Sequence, residues 1–291
     1  MTAEFIESLR VAPGKNAELD ARDPANRLGY DEEDEAANRV GELVEELARL
    51  QYRLEAENER AVLLVLQGMP TSGKDETLRE ALRGLNPQAY RVEHFSATSE
   101  PEGQHDYLWR FHRSVPQLGE IGVFNRSHYE SVLSERMYGE VDDAQARRRF
   151  QHLCDFERML ADEDISVVKV FLHLSKEEQA ARLRERLEDP EKRWEFDADD
   201  LDDRKIWDEY MAAFEECLRE TSTDYAPWYV VPADVPIVRN LAVLEILRRA
   251  LEEMDPQIPR DLYDDEQIQD WLDQLDADEA SSAAAGDEVS G

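Results

Sequence analysis

Two glycines and a lysine between positions 68 and 74 have the types and the spacing of a phosphate-binding loop. They occur in the segment GMPTSGKDE as Gly68-x4-Gly73-Lys74. Glycines let a chain turn tightly, so that its N–H groups come close to a phosphate. A helix that begins here adds unpaired N–H donors, and a lysine adds a mobile cation for terminal phosphates. The pattern therefore indicates phosphate binding, and the alternative is an ordinary turn between a strand and a helix.

A second polar cluster, NRSHYE, begins at Asn125, directly after a short buried strand. Ligands of open parallel sheets lie beyond the carboxyl ends of the strands. Arg126 is suited to a bidentate contact with phosphate oxygens, and Asn125 is suited to hold a metal-bound water. We therefore expect these side chains to face the phosphates held by the loop. A solvated turn is the alternative.

A third candidate is an arginine-rich segment between residues 182 and 193. Arg182 and Arg186 are four residues apart and share one helical face. A mobile lid that brings arginines to a transferring phosphoryl group fits the mechanics of kinases. The alternative is pairing along the helix with Glu178, Glu185 and Glu188.

The elements that must position these groups alternate between strand and helix. The predicted strands are AVLLVL after residue 60, residues 90–95, residues 122–124, DISVVKVFLHL and WYVVP. The predicted helices cover about 40–58, 74–84, 102–116, 143–161, 176–187, 200–221 and 239–254. This alternation predicts an α/β fold, with a parallel five-stranded sheet and helices on both faces. Trp207, Tyr210 and Phe214 are predicted to be core, and Asp199, Asp200, Asp202 and Asp203 a solvated face.

We predict three regions along the chain. Residues 1–35 are expected to form an extended arm, because they contain turn residues and the acidic run DEEDE. Residues 36–258 form the main domain, with a lid at about 176–205. Residues 259–291 are acidic and rich in small residues, and are expected to be a largely disordered tail, in which the spacing of Ile268, Trp271, Leu272 and Leu275 is compatible with one short docking helix before about Asp276.

The charge balance restricts the possible partners. The chain has 68 acidic and 34 basic residues, and only six of the basic residues are lysines. Such a surface is typical of proteins from salt-accumulating organisms, and it should repel nucleic acid. No apolar run is long enough to cross a membrane, and the N-terminal segment lacks the pattern of a signal peptide. Cys154 and Cys217 are interpreted as buried apolar residues, so we expect a soluble, cytoplasmic protein.

Taken in order, several segments resemble polyphosphate kinase family 2, the P-loop enzymes that transfer phosphate between inorganic polyphosphate and nucleotides. The matching segments are LLVLQGMxxxGKDxT, NPQ…RV, HDYLWR, EIGVFNRSHYE, FLHLSKEEQ, DPEKRWEF, WDEYMAAFE, TSTDYAPWYVVPAD and RNLAV. The resemblance covers nearly the whole chain, from about Phe5 to Met254, and as a set these segments are highly specific.

The resemblance implies a thymidylate-kinase-like P-loop core with a helical lid, and Mg²⁺ between the donor phosphates and the acceptor. It implies that Lys74, Asp75, Arg126 and Arg136 are catalytic, with Asp75 as the metal ligand. The phosphate- and nucleotide-binding set is then Gly68, Thr71, Ser72, Gly73, Lys74, Arg110, Asn125, Arg126, Arg182 and Arg186. The expected partners are inorganic polyphosphate and a nucleotide, and the family suggests homodimers or tetramers.

Three positions depart from the family pattern. Pro70 stands where the family loop carries an aspartate, and Ser96 stands where a lysine is usual. The segment Val235–Val238 replaces a basic-aromatic stretch. These changes remove cations and a carboxylate, so they favour weakened or altered transfer. We therefore keep two alternatives to polyphosphate:nucleotide phosphotransfer: a degenerate member that binds phosphate chains, nucleotides or a partner subunit, and an ATP-dependent kinase of a small acceptor.

Overall fold

The structure is a computed structural model that describes residues 3–95, 99–260 and 262–288. Ser96, one of the departures from the family pattern, lies outside the described residues. The chain divides into a larger unit, Met1–Pro256, and a smaller unit, Gln257–Gly291. The larger unit contains the sheet and every segment that the sequence singled out for chemistry.

The core of the larger unit is a parallel sheet of five strands, as the sequence predicted. The strands are β1 (Ala61–Gln67), β2 (Tyr90–His94), β3 (Ile121–Asn125), β4 (Ile165–His173) and β5 (Trp228–Pro232), in the order β2-β3-β1-β4-β5. The central strand β1 is buried along its whole length, because strands that are covered on both faces must be apolar throughout. Its register places Leu64 beside Val123 of β3 and Val168 of β4, so the carboxyl ends of β1 and β3 are neighbours.

Helices cover both faces of the sheet. Their bounds are α1 (Ala3–Leu9), α2 (Glu33–Glu57), α3 (Lys74–Ala81), α4 (Trp109–His112), α5 (Ser134–Met137), α6 (Asp143–Asp162), α7 (Lys176–Glu188), α8 (Asp199–Lys205), α9 (Trp207–Thr221), α10 (Pro236–Met254) and α11 (Asp265–Glu288). Apolar residues of α2, α3 and α10 pack on one face, and those of α6 and α9 pack on the other. The predicted core residues Trp207, Tyr210 and Phe214 are buried, as expected. Cys154 and Cys217 are both free thiols.

The predicted N-terminal arm is more structured than its composition indicated. It contains helix α1, whose Ile6 and Leu9 are buried, and Val11 donates a backbone hydrogen bond to the carbonyl of Trp228 at 2.9 Å. Apolar side chains in this arm find partners on the sheet, and no local sequence signal shows such partners in advance. Their burial stabilises the arm against the main domain.

Two other segments differ from the predicted elements. The predicted helix over 200–221 is split at Ile206 into α8 and α9, and the one over 102–116 is a 3-10 turn followed by the four-residue α4. In the second segment the Asp106 carboxylate accepts the N–H of Leu108 at 3.0 Å, a local bond that competes with a helix.

The smaller unit also differs from the expected tail. Residues 259–291 were predicted to be largely disordered, whereas the structure has helix α11 there. Ala, Glu, Gln and Leu favour helix, and the Asp264 carboxylate accepts the N–H of Gln267 at 2.8 Å at the start of the helix. Helix propensity therefore outweighs the acidic, small-residue composition.

Candidate active site

The loop between β1 and α3 has the backbone shape of a phosphate cradle. Gly68, Thr71 and Gly73 have φ angles of 155°, 63° and 90°. A Cβ on Gly73 would lie 1.8 Å from Nη1 of Arg239, and one on Gly68 would lie 2.8 Å from Oγ of Ser72. Both positions therefore require glycine, for their φ angles as well as for space. Helix α3 begins directly after the loop, so its first N–H groups face the same space.

The Lys74 side chain folds back over this loop. Its Nζ donates to the carbonyl oxygens of Gly68 at 2.8 Å and Met69 at 3.2 Å. Burial, and in second place the positive charge of Arg126, lower the pKa of Lys74 to about 8. A lysine held in this way is a cation whose charge is poorly compensated, and an incoming phosphate would compensate it.

Asp75 and Asn125 form a contact between the start of α3 and the end of β3. The Asn125 Nδ2 donates to Oδ1 of Asp75, and the buried Oδ1 of Asn125 has no hydrogen-bond partner. Within the described residues there is no group of three or more metal-ligating side chains. Mg²⁺ does not need such a group, since it usually binds one or two carboxylates, with waters and phosphate oxygens completing its shell. The Asp75 carboxylate and the unpartnered Asn125 oxygen therefore fit a magnesium ion.

Arg126 lines a cleft of about 640 Å³ next to the loop. The part of the chain that the structure describes gives its guanidinium no ion-pair partner. Arg110 lines the same cleft, and its guanidinium lies 5.2 Å from the ring centre of Phe95. The cleft also includes Gly68, Met69 and Pro70 of the loop. The structure thus brings two of the predicted arginines beside the phosphate loop.

The predicted catalytic residue Arg136 follows Glu135, which lines the cleft, but its own side chain contacts carboxylates. It is not part of the cleft lining, and it forms ion pairs with Asp143 at 2.8 Å and Glu216 at 2.7 Å. These contacts join α5 to α6 and α9. In this structure the Arg136 guanidinium is engaged by two carboxylates.

The two predicted lid arginines make structural contacts. Arg182 donates to the carbonyl of Thr71 at 2.9 Å and to those of Ala233 and Asp234 at 2.8 and 3.0 Å, and it also pairs with Glu178 at 2.9 Å. The lid arginine thus reaches the phosphate loop through the loop's backbone, and the pairing along the helix that was the alternative is present as well.

Arg186 contacts residues that follow the C-terminal end of α7. It lies 3.7 Å from Oδ2 of Asp200 and donates to the carbonyl of Glu195 at 3.1 Å. Neither Arg186 nor Arg182 is among the residues that line the cleft.

Sequence reasoning missed Arg239 and three acidic residues of the site. Arg239 of α10 is fully buried, and it donates to the carbonyl of Ser72 at 3.3 Å and to the Glu76 carboxylate at 2.9 Å. An arginine within the apolar stretch PIVRNLAVL was the available signal. Asp199, Asp200 and Asp203 were assigned to a solvated face, but they line the cleft, and Asp200 is only 8% exposed. Its burial raises its pKa to about 6.

Pro70 lies in the cleft lining, and the segment from Val235 forms the start of α10. The carbonyl of Pro70 accepts a hydrogen bond from Nε2 of Gln179 at 3.4 Å, and Pro70 itself lines the cleft. Pro236 occupies the first turn of α10, where a proline is tolerated because its missing N–H has no helical partner. Val238 is buried beside the other apolar residues of that helix.

The sheet order, the loop after the central strand and the cleft beyond the strand ends together define a P-loop kinase fold. A family model described as Polyphosphate kinase 2 (PPK2) matches residues 30–259. The chain therefore belongs to the polyphosphate kinase 2 family, as the resemblance had implied.

Individual relatives agree with this family. The chain is 45% identical over 256 residues to an AMP/ADP-polyphosphate phosphotransferase of Meiothermus ruber, covering 88% of this chain and 96% of the relative. It is 42% identical over 228 residues to an ADP-polyphosphate phosphotransferase of Rhodopseudomonas palustris, covering 74% of this chain and 79% of the relative. The crystal structure of polyphosphate kinase 2 from Arthrobacter aurescens superposes with a TM-score of 0.88 at 36% identity, covering 93% of this chain and 96% of that one.

Nothing in these similarities supports a degenerate member of the family. Among the described residues no helix is long and apolar enough to cross a membrane.

Proposed function

We propose that this protein transfers phosphoryl groups between inorganic polyphosphate and an adenine nucleotide, AMP or ADP. The observation that carries the proposal is the glycine-shaped loop after β1, with Lys74 folded over it and Arg126 at its side in the adjoining cleft. The names of the two relatives, which include AMP and ADP, support the choice of acceptor.

The loop would bind the phosphates that flank the transferring group. The N–H groups at the start of α3 point into the loop, and the dipole of the helix favours negative charge there. Lys74 would leave the carbonyls of Gly68 and Met69 for phosphate oxygens, which are stronger acceptors because they are charged.

Arg126 would stabilise the charge on the transferring group from the cleft side. Phosphoryl transfer passes through a loose transition state, so positioning and charge neutralisation account for most of the catalysis. A guanidinium without a carboxylate partner is free to bind the phosphoryl oxygens in a bidentate manner. Arg239 and Arg182 would act behind the loop, because each binds a loop carbonyl rather than the cleft.

Magnesium is the metal that we propose, held by Asp75 and Asn125. When bound it would neutralise part of the charge of the phosphate chains. The cleft itself supports a need for a cation, because Glu130, Asp197, Asp199, Asp200 and Asp203 line it together with Arg110 and Arg126. A lining with this many carboxylates would repel a polyanion if no cation were bound.

We further propose that the protein works as a homo-oligomer in the cytoplasm of a salt-accumulating cell and does not bind nucleic acid. The net charge of −34 with only six lysines supports the salt-adapted cell and the absence of nucleic-acid binding, and the resemblance to the family supports the oligomer. At about 1 M salt the Debye length is about 3 Å, so only the contacts inside the cleft would attract a polyanion.

The test uses the full chain in molar KCl with Mg²⁺, long-chain polyphosphate and, in separate reactions, AMP, ADP, GMP and GDP. The expected result is formation of ADP or ATP, with at least a 100-fold loss in Lys74→Ala. Lys205→Ala is the matched control, because this lysine is exposed on α8 and, among the residues that the structure describes, pairs with Asp202. Absence of nucleotide product in the wild type, or full activity in Lys74→Ala, would overturn the proposal.

A second pair of reactions tests the alternatives. Replacing polyphosphate by ATP with the same acceptors identifies an ATP-dependent kinase. Pro70→Asp restores the family aspartate, and a gain of orders of magnitude would show that the natural loop is impaired. Equal activity of Pro70→Asp and the wild type is the result that efficient natural turnover predicts.

A further inference from the structure

A buried polar network lies behind the cleft, directly after Arg126 in the chain. Its members are His128 and Tyr129 in the turn after β3, Glu157 on α6 and Lys169 in β4. All four side chains are fully buried. None of them lines the cleft, so none is part of the proposed chemistry.

Glu157 is the centre of this network. Its Oε1 accepts from Tyr129 Oη at 2.7 Å and contacts Nε2 of His128 at 3.0 Å. Its Oε2 accepts from Lys169 Nζ at 2.5 Å. Lys169 also donates to Tyr129 Oη at 2.9 Å and to the carbonyl of Thr221 at 2.7 Å. Two consecutive residues of the turn are therefore bound to one carboxylate, which a buried cation holds in place.

Stability alone gives little reason for such a network. Removing two charges from water is costly, and well-packed apolar residues often stabilise a fold as well as a buried pair does. What the network adds is a fixed geometry, because its hydrogen bonds hold atoms of the turn in place relative to α6 and β4.

The residue that precedes the network has a strained backbone. Arg126 has a φ of 59°, a left-handed conformation that is unfavourable for an L-residue. On one side, Asn125 is held in the sheet opposite Leu66 and His94. On the other side, Ser127 Oγ accepts from Gln67 Nε2 at 3.0 Å, and the buried network begins at the next residue. Arg126 thus lies between two fixed anchors, with its side chain in the cleft.

We propose that Glu157, Lys169 and Tyr129 are positioning residues that fix the turn after β3 and thereby aim the Arg126 guanidinium into the cleft. This inference rests on the proposed function, in which Arg126 binds the transferring phosphoryl group. The three residues act through Arg126 and do not touch the substrate.

The test replaces the network by apolar residues, in the double variant Glu157→Leu/Lys169→Met. Tyr129→Phe is a milder second variant in case the double variant does not fold. Each is made in the wild type and in Arg126→Ala, and kcat and KM for the nucleotide are measured with polyphosphate as donor. The matched control is Glu245→Leu/Arg39→Met, which removes a 3.1 Å ion pair between α10 and α2 on the other face of the sheet.

The expected result is a fall in kcat of about 10- to 100-fold with KM for the nucleotide unchanged, since a displacement of about 1 Å is enough for such a loss. The same substitutions should cause no further loss in Arg126→Ala, and the control should keep the wild-type kcat. A folded variant with wild-type kcat, or an equal loss in the Arg126→Ala background, overturns the inference while the proposed function stands. If Arg126→Ala itself keeps the wild-type kcat, both the role of Arg126 and this inference are overturned.

Discussion

The pKa of Lys74 predicts how the binding of polyphosphate should depend on pH. Burial and Arg126 lower this pKa to about 8, from an ordinary value of about 10.4. About nine-tenths of the molecules then carry a charged Lys74 at about pH 7, and about one-tenth at about pH 9. A polyanion binds the charged form, so its dissociation constant should rise about 10-fold over this range. With an unperturbed lysine it would hardly change.

The assay measures the dissociation constant of long-chain polyphosphate by calorimetry in molar KCl, at about pH 7, 8 and 9. The internal phosphates of the chain stay fully ionised over this range. Burial lowers the pKa of His128 behind the cleft, so this group stays neutral over the range. A contribution from His105, which lines the cleft, would appear equally in the wild type and in a variant of Lys74. Lys74→Arg is the control, since a guanidinium stays charged throughout.

Two results would refute the reasoning. One is a wild-type dissociation constant that stays the same between about pH 7 and pH 9. The other is a rise of the dissociation constant in Lys74→Arg that is as large as the 10-fold rise expected for the wild type. The lowered pKa of Lys74 also makes the stability of the folded protein depend on pH. The folded pKa lies below the unfolded one, so the free energy of unfolding of the ligand-free protein should increase as the pH rises from about 8 towards 10.4.

Three further predictions concern single substitutions. Gly73→Ala should lower the free energy of unfolding by about 3 kcal/mol and the transfer rate by about 100-fold, because its Cβ displaces Arg239. Gly14→Ala is the control, since Gly14 has a φ of 68° and free space around it, and it should cost only about 1 kcal/mol. An equal cost at both positions in urea unfolding would contradict the clash with Arg239. Asp200→Asn should stabilise the fold by about 2 kcal/mol at about pH 8 and by little at about pH 4, because the raised folded pKa makes the charged carboxylate unfavourable above about 6. Urea titrations at both pH values check this prediction, and an unchanged free energy of unfolding at about pH 8 would contradict it. Leu47→Ala removes a fully buried side chain of α2 and should cost about 2–5 kcal/mol, whereas the transfer rate per folded molecule should stay at the wild-type value; a changed rate would show that α2 affects the site.

The sheet and the loop were predictable because their signals are local. The apolar run of β1 and the glycine spacing before Lys74 specify a buried strand, a turn and a helix within 22 residues of chain, Ala61 to Leu82. The alternation of apolar runs with helical patterns then indicated the remaining strands, whereas their order in the sheet was not predicted. Helix ends were less predictable, as the break at Ile206 shows, because the side-chain and backbone bonds that end a helix compete with its own ladder.

The partner of each arginine was not predictable from sequence. A guanidinium binds a carboxylate and a phosphate with the same fork of donors, and this chain has 68 carboxylate side chains as candidates. Arg136 and Arg126 look alike in the sequence, yet the first is held by Asp143 and Glu216 and the second faces the cleft. Asp200 was misjudged for a related reason: burial arises from distant segments, here the lid and the loop.

The hydrogen bonds of Arg182 connect three separate parts of the chain: helix α7, the loop at Thr71 and the end of β5 at Ala233 and Asp234. An outward swing of α7 would break all three bonds in one step and leave three carbonyl oxygens to be hydrated. Intermediate positions of α7 would lose these hydrogen bonds without full hydration of the freed carbonyls, so the helix should occupy one of two positions, docked or released. Substrate entry and product exit would then depend on the same rate-limiting step, the release of the Arg182 side chain from these carbonyls.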